Sequence, residues 1–217
     1  MSELTLIDTK VDVSKMWPFL DMAPVDKHFP GRNRYRLMSR FNVEDDGSFL
    51  RIAPVPLFQS RTVNPLEGYG GYARDYDELP EGLVGSLEFR AVMDMWRGVI
   101  PEDIPRFSVH HIRTIAPGDP VPEGRHRDGY RWVGLYVARR ENIDPLSGIT
   151  TFWHRETETV AFNRTVQAGE LVVFNDRRFT HYTTPIRPVG GRTAIRDVFI
   201  ITTPDHGQIA SEEDETT

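Results

Sequence analysis

From Phe107 onward the chain reads as a series of short strands at nearly regular spacing, and this pattern most constrains the fold. Residues 107–115, 130–138, 149–153, 157–162, 171–174 and 196–202 are each rich in β-branched and aromatic side chains. Polar, glycine- or proline-bearing turns separate them, including Pro117-Gly118-Asp119-Pro120 and Gln167-Ala168-Gly169-Glu170. Strands this short and this closely spaced argue for a sandwich or jelly roll, because βαβ units need a helix between successive strands. Of the 217 residues, 39% are hydrophobic and 27% charged, the profile of an ordinary globular chain long enough to bury a sizeable core.

The first hundred residues are more mixed. Residues 12–20 predict a short helix capped by Ser14, with Pro18 in or just after its first turn. Strands are expected over 34–43, with Tyr35, Leu37 and Phe41 on one face, and over 48–54. Chain breaks follow from Pro24, Pro30-Gly31, Pro56, Asn64-Pro65, Gly68, Gly70 and Gly71. Residues 83–100 predict the clearest helix, with Val84, Leu87, Ala91, Val92, Met95, Trp96 and Val99 as its apolar stripe. The expectation is one domain over 1–217: a helical and strand buttress over 1–105, a core over 106–203 and an acidic tail over 204–217.

Composition narrows the function. Net charge is −6, and no Lys/Arg cluster outweighs the acids on any expected element, so nucleic acid is not an expected partner. There is no cysteine, so a bound metal would rest on His and carboxylate alone. The N-terminus has neither a basic region nor a long apolar core, and no run approaches the length of a membrane span. A cytoplasmic protein acting on a small molecule, as a monomer or a homo-oligomer, is the expectation.

Within Glu123-Gly124-Arg125-His126-Arg127-Asp128-Gly129, His126 and Asp128 are separated by one residue. On a strand that spacing sends both side chains to one face, where imidazole and carboxylate can hold adjacent positions on one ion. The best third donor is His181, 53 residues beyond Asp128. Two histidines and one carboxylate form the facial triad of non-haem Fe(II) oxygenases, which leaves three positions open. Read alone, the His-x-Asp pair is more readily a hydrogen-bonded pair at a strand end, and His181 can be a core histidine.

Arg196 shares a strand face with Val198 and Ile200 and so points inward, where a guanidinium needs an anion, either a ligand carboxylate or an internal acid. Arg192 is a further candidate for the same role. His110 and His111 point to opposite faces and cannot chelate jointly. Trp132 and Tyr136 fall on the expected face of Asp128 and Tyr130, where they either line a pocket or fill core.

Several blocks together carry a resemblance. They are Pro122-Glu123-Gly124-Arg125-His126-Arg127-Asp128-Gly129, Asp176-Arg177-Arg178, His181-Tyr182-Thr183-Thr184-Pro185-Ile186 and Arg196-Asp197-Val198. Phe58-Gln59-Ser60, Asn64-Pro65 and Gly70-Gly71-Tyr72-Ala73-Arg74 add to it more loosely. In that order they resemble the bacterial 2-oxoglutarate/Fe(II) dioxygenase family that includes L-isoleucine 4-hydroxylase.

The resemblance implies a mostly β fold with flanking α: a double-stranded β-helix (a cupin-like jelly roll) with N-terminal helices. It implies Fe(II) held by His126, Asp128 and His181, with Arg196, or secondly Arg192, on the distal carboxylate of 2-oxoglutarate. It implies hydroxylation of an unactivated C–H bond of a free L-amino acid by O2, with release of succinate and CO2. Candidates for the substrate carboxylate are then Arg74 and Arg113, and for its ammonium Glu123 or Asp75, with Tyr136 as a lining residue. Residues 139–146 and the loop 59–79 would set specificity.

Three rivals stand beside this reading. They are the same chemistry on a small natural-product intermediate, a cupin-like metalloenzyme that does not use 2-oxoglutarate, and a non-catalytic β-sandwich binding module.

Overall fold

A computed structural model describes residues 2–29, 31, 33–61, 64, 67 and 70–207 of the chain. The acidic run 211–215 and the breaks at Pro30, Pro65 and Gly68 lie outside these residues. Among the described residues, ten strands form two antiparallel sheets. They are β1 (Leu4–Asp8), β2 (Arg34–Val43), β3 (Phe49–Ile52), β4 (Arg106–Ile115), β5 (Trp132–Glu141), β6 (Ile149–His154), β7 (Val160–Thr165), β8 (Glu170–Asn175), β9 (Phe179–Thr183) and β10 (Ile195–Thr203). The major sheet runs β1-β8-β5-β10-β4-β2-β3 and the minor sheet β7-β6-β9, the two-sheet architecture of a jelly roll.

The break at residue 105 does not divide the major sheet. β1, β2 and β3 precede that point, yet β1 pairs with β8 and β2 pairs with β4. Two strands escape sequence reading: β1, a short edge strand, and β9, whose five residues alternate buried and half-buried around His181.

The major sheet is buried on both faces. One face packs beneath α3 (Leu87–Val99), where Phe107, Val109, Tyr136, Phe199 and Ile201 meet the helix. Its other face meets the minor sheet through Val133, Leu135, Val137, Val198, Phe152 and Phe179.

The expected single helix over 83–100 is two. The first, α2 (Glu81–Val84), stops at Gly85, and α3 starts anew with the Ser86 side chain accepting from the Phe89 amide at 3.2 Å. This cap sets the phase of the buried stripe, which is Phe89, Val92, Met93 and Trp96, each fully buried. Leu87, placed on the stripe by sequence, is 80% exposed. Each buried side chain of this kind contributes about 1.5–3 kcal/mol, so the stripe is a main anchor of the helix. Near the N-terminus, a 3-10 turn (Val13–Met16) leads into α1 (Trp17–Leu20), and its cap is Asp12, whose carboxylate accepts from the Ser14 amide at 3.2 Å, rather than Ser14 itself.

Candidate active site

The cavity lies between the sheets. β10 sends Arg196, Val198, Ile200 and Thr202 into it, and β4 sends His110 and Ile112. From the minor sheet β9 contributes His181 and Thr183.

His126 and Asp128 reach the cavity from a loop before β5 and not from a regular strand. One isolated bridge ties this loop to β9: the His126 amide donates to the His181 carbonyl at 3.0 Å, and the His181 amide to the His126 carbonyl at 2.9 Å. That reciprocal pair brings two residues far apart in sequence to ring centroids of 4.4 Å. His181 is further fixed by Phe152, stacked at 5.5 Å, and by the edge of Phe174 at 5.2 Å.

Asp176, directly after β8, holds the other end of the loop. Its buried carboxylate accepts from three successive backbone amides, of Asp128 (3.1 Å), Gly129 (2.8 Å) and Tyr130 (3.1 Å). Sequence reading singled out Asp176 as part of a block but gave it no role. An acid just after a strand carries no periodicity signal, and three amide bonds can be seen only in space.

His126, Asp128 and His181 offer donor atoms within 4.8 Å of one another. His126 Nε2 lies 3.6 Å from Asp128 Oδ1, and His181 Nε2 lies 3.5 Å from Asp128 Oδ2. These separations are long for hydrogen bonds and suit donors sharing an ion at about 2.1 Å. Gly124, at a φ of +77° that favours glycine, turns its carbonyl to within 2.9 Å of His126 Nδ1. The carbonyl can only accept, so Nδ1 donates to it and Nε2 is the nitrogen left to face a metal, which would take the place of a proton there. Asp128 Oδ2 is buried with no hydrogen-bond partner among the described residues. The donor set therefore fits a divalent ion of the kind that two imidazoles and a carboxylate select.

The electrostatics agree. Burial opposes charging His126, but Asp128 and Glu123 outweigh it and raise the imidazole to about 9. His181 is pushed down to about 4 by burial and by His126, against the pull of Asp128. Asp128 stays below its ordinary value because the two histidines overcome its burial. The site thus holds one carboxylate against a shared positive charge, which a metal ion would replace.

Arg196 is 4% exposed, lines the cavity and forms no ion pair among the described residues, and one terminal nitrogen is buried without a hydrogen-bond partner. Burial and neighbouring Arg140 lower it to about 9. Arg74 and Glu123 also line the cavity, Glu123 Oε1 standing 3.8 Å from His126 Nε2.

Other candidates lie elsewhere. Arg192 is exposed, beside an outer depression with Arg140 and Val189. Arg113 faces the α3 side of the sheet and is held by Asp197 (2.8 Å) and Asp21 (2.7 Å). Asp75 is exposed. Tyr136 is fully buried in the core, its ring stacked 6.0 Å from Phe199. The alternation projected from Asp128 to Tyr136 holds as far as Tyr130 and is lost in the bend that leads into β5, so Asp128 and Tyr130 line the cavity while Trp132 and Tyr136 face the other way. Residues 139–146 contribute nothing to the cavity among the described residues, whereas the 59–79 segment contributes Gln59, Asn64 and Arg74. Arg34, Arg36 and His110 are cavity residues that sequence reading missed, and their alternation on β2 and β4 was the available signal.

A jelly roll with two histidines and a carboxylate converging on its inner cavity defines a metal-dependent double-stranded β-helix protein. The family model described as 2OG-Fe dioxygenase matches residues 18–202, and the chain belongs to that family. Its members use Fe(II), 2-oxoglutarate and O2, and His126, Asp128 and His181 are the residues here that fit the iron.

Solved structures share the fold. A bsmA homologue from Methylobium petroleophilum PM1 matches with a TM-score of 0.77 at 20% identity, over 94% of this chain and 90% of that one. IDO from Bacillus thuringiensis matches at 0.72 and 15%, over 92% of each chain. The Fe(II)/α-ketoglutarate-dependent dioxygenase TqaL matches at 0.67 and 14%, over 93% of this chain and 82% of that one. At these identities the likeness is one of fold. A search of curated protein sequences finds no match. No helix among the described residues is long and apolar enough to cross a membrane.

Proposed function

We propose that the protein hydroxylates an unactivated C–H bond of a free L-amino acid, converting 2-oxoglutarate to succinate and CO2. The observation that carries this reading is that one cavity holds the His126–Asp128–His181 set, the unpaired Arg196, and the oppositely charged Arg74 and Glu123. Arg196 offers a planar fork to the distal carboxylate of 2-oxoglutarate, an anion that would offset its burial. Arg74 and Glu123 suit the carboxylate and ammonium of one zwitterion. Fe(II) with O2 supplies the oxidising power for C–H cleavage. The protein's part is positioning: Asp176 and the His126–His181 bridge fix the donors, and the apolar wall of Leu135, Ile112, Val198 and Ile200 excludes water.

The test is a panel of the standard L-amino acids with Fe(II), 2-oxoglutarate and O2, read by succinate release and by mass. The expected result is one or a few aliphatic members that raise succinate above the substrate-free rate and gain one oxygen atom. If no member does both, the amino-acid reading falls while membership of the family stands.

A further inference from the structure

His110 carries a donor that the proposed chemistry leaves unused. Its ring lines the cavity from β4 and is 3% exposed. Nδ1 lies 3.0 Å from a terminal nitrogen of Arg36 on β2. A guanidinium has donors only, so Nδ1 must accept and the neutral ring carries its proton on Nε2. Burial first, and then the positive field of Arg36, His206 and Arg74, keeps the ring neutral far below its ordinary value. Nε2 is buried and has no hydrogen-bond partner among the described residues. An N–H held in such a place is costly to leave unmade, which points to an acceptor brought by a ligand.

Its position says which ligand. In the ladder of β10 and β4, His110 stands opposite Ile200, whereas Thr114 stands opposite Arg196. Four residues of strand span about 13 Å, so His110 and Arg196 mark opposite ends of the cavity and cannot share one carboxylate. Arg36 behind the ring, and Arg74 on the same cavity lining, make the surroundings of Nε2 positive and favour an anionic acceptor over a neutral one.

We propose that His110, buttressed by Arg36, receives a carboxylate of the substrate together with Arg74, and so selects substrates that carry an acid group at the end of the cavity remote from Arg196. This rests on the hydroxylase reading above, with His110 as a specificity-determining residue that sequence reading left unassigned.

The first test needs no variant. Protein labelled with ¹⁵N in its imidazoles is loaded with Zn(II) and saturating 2-oxoglutarate, and its ring nitrogens are observed by NMR. A bare Nδ1 and a protonated Nε2 are expected at His110, and the opposite tautomer overturns the proposal. Potassium acetate and the L-amino-acid panel are then titrated in, and the Nε2 proton is expected to move downfield. If acetate moves it and no amino acid does, the receptor stands and the free-amino-acid reading falls. If neither moves it, the proposal is overturned.

The second test is calorimetry. His110→Phe keeps a ring and removes the donor, and His110→Gln restores an N–H. The expected result is at least a tenfold loss of probe affinity in His110→Phe, partly recovered in His110→Gln, with 2-oxoglutarate binding within twofold of wild type. Weakened 2-oxoglutarate with unchanged probe affinity would assign the carboxylate to the cosubstrate and overturn the proposal, as would no change in either. Should His110→Phe fail to fold, the wild-type titration decides.

Discussion

Among single residues, Asp176 connects fold to metal most directly. Three amides of the 128–130 loop depend on its carboxylate. Asp176→Ala would leave those donors unanswered in a buried place and let Asp128 drift from the histidines. Loss of an outer partner of this sort typically weakens metal binding about 10–100-fold. A Zn(II) or Co(II) titration of the variant should show that loss, and unchanged affinity would mean the loop is held without Asp176. The triad was legible in sequence because its spacing and flanking blocks were distinctive. His110 and Arg36 were not, because a histidine or arginine on a strand is ambiguous until the cavity shows which face is wet with ligand. Tyr136 was misplaced for the same kind of reason: the bend between Tyr130 and β5 breaks an alternation that the sequence suggested was continuous.

Among elements, α3 sits close against the sheet beneath it. Gly134 on β5 lies under Trp96, and a Cβ there would stand 2.6 Å from the indole Cδ1 and 2.8 Å from its Nε1. Trp96 is fully buried and has nowhere to retreat. Gly134→Ala should therefore cost about 1–3 kcal/mol as an overpacking substitution, measured by urea unfolding. A neutral or stabilising result would show that α3 is free to shift. Six of the seven strands from residue 106 on were legible because they are short runs rich in β-branched and aromatic residues between turn signals. The helix over 83–100 was legible in kind but not in phase, since only the Ser86 cap reveals that Leu87 points outward. β9 was hidden because it is only five residues long and two of its three buried positions, His181 and Thr183, are polar, which breaks the apolar alternation of a strand.

On the scale of the whole molecule, the architecture and membership of the 2OG-Fe dioxygenase family were legible, but the contribution of the first hundred residues was not. β2 was expected as a strand, yet nothing in one sequence says that it lies beside β4 and carries Arg34 and Arg36 into the cavity. The buried basic cluster also sets the response to acid. Burial lowers His206 to about 4, and burial with Arg36 lowers His110 well below its ordinary value. A histidine lowered in the folded state binds its proton only on unfolding, so its stabilising effect is complete above pH about 6.5 and is lost as pH falls toward about 4. Unfolding at pH 5 should then take up protons at both histidines, and His206→Gln should remove about one proton of that uptake. The pH dependence of the urea midpoint measures this. An identical slope in wild type and variant would contradict it.

The central claim is that His126, Asp128 and His181 hold Fe(II) while Arg196 holds 2-oxoglutarate in the same cavity. Its most direct test is the visible charge-transfer absorption of the anaerobic Fe(II)–2-oxoglutarate chelate, recorded for wild type, His126→Ala and Arg196→Ala. The account predicts a band in the wild type, its loss in His126→Ala through loss of iron, and its loss in Arg196→Ala at 2-oxoglutarate concentrations that saturate the wild type, with iron still bound. A band of equal strength and equal 2-oxoglutarate dependence in Arg196→Ala, or a wild type that binds no iron, would contradict it.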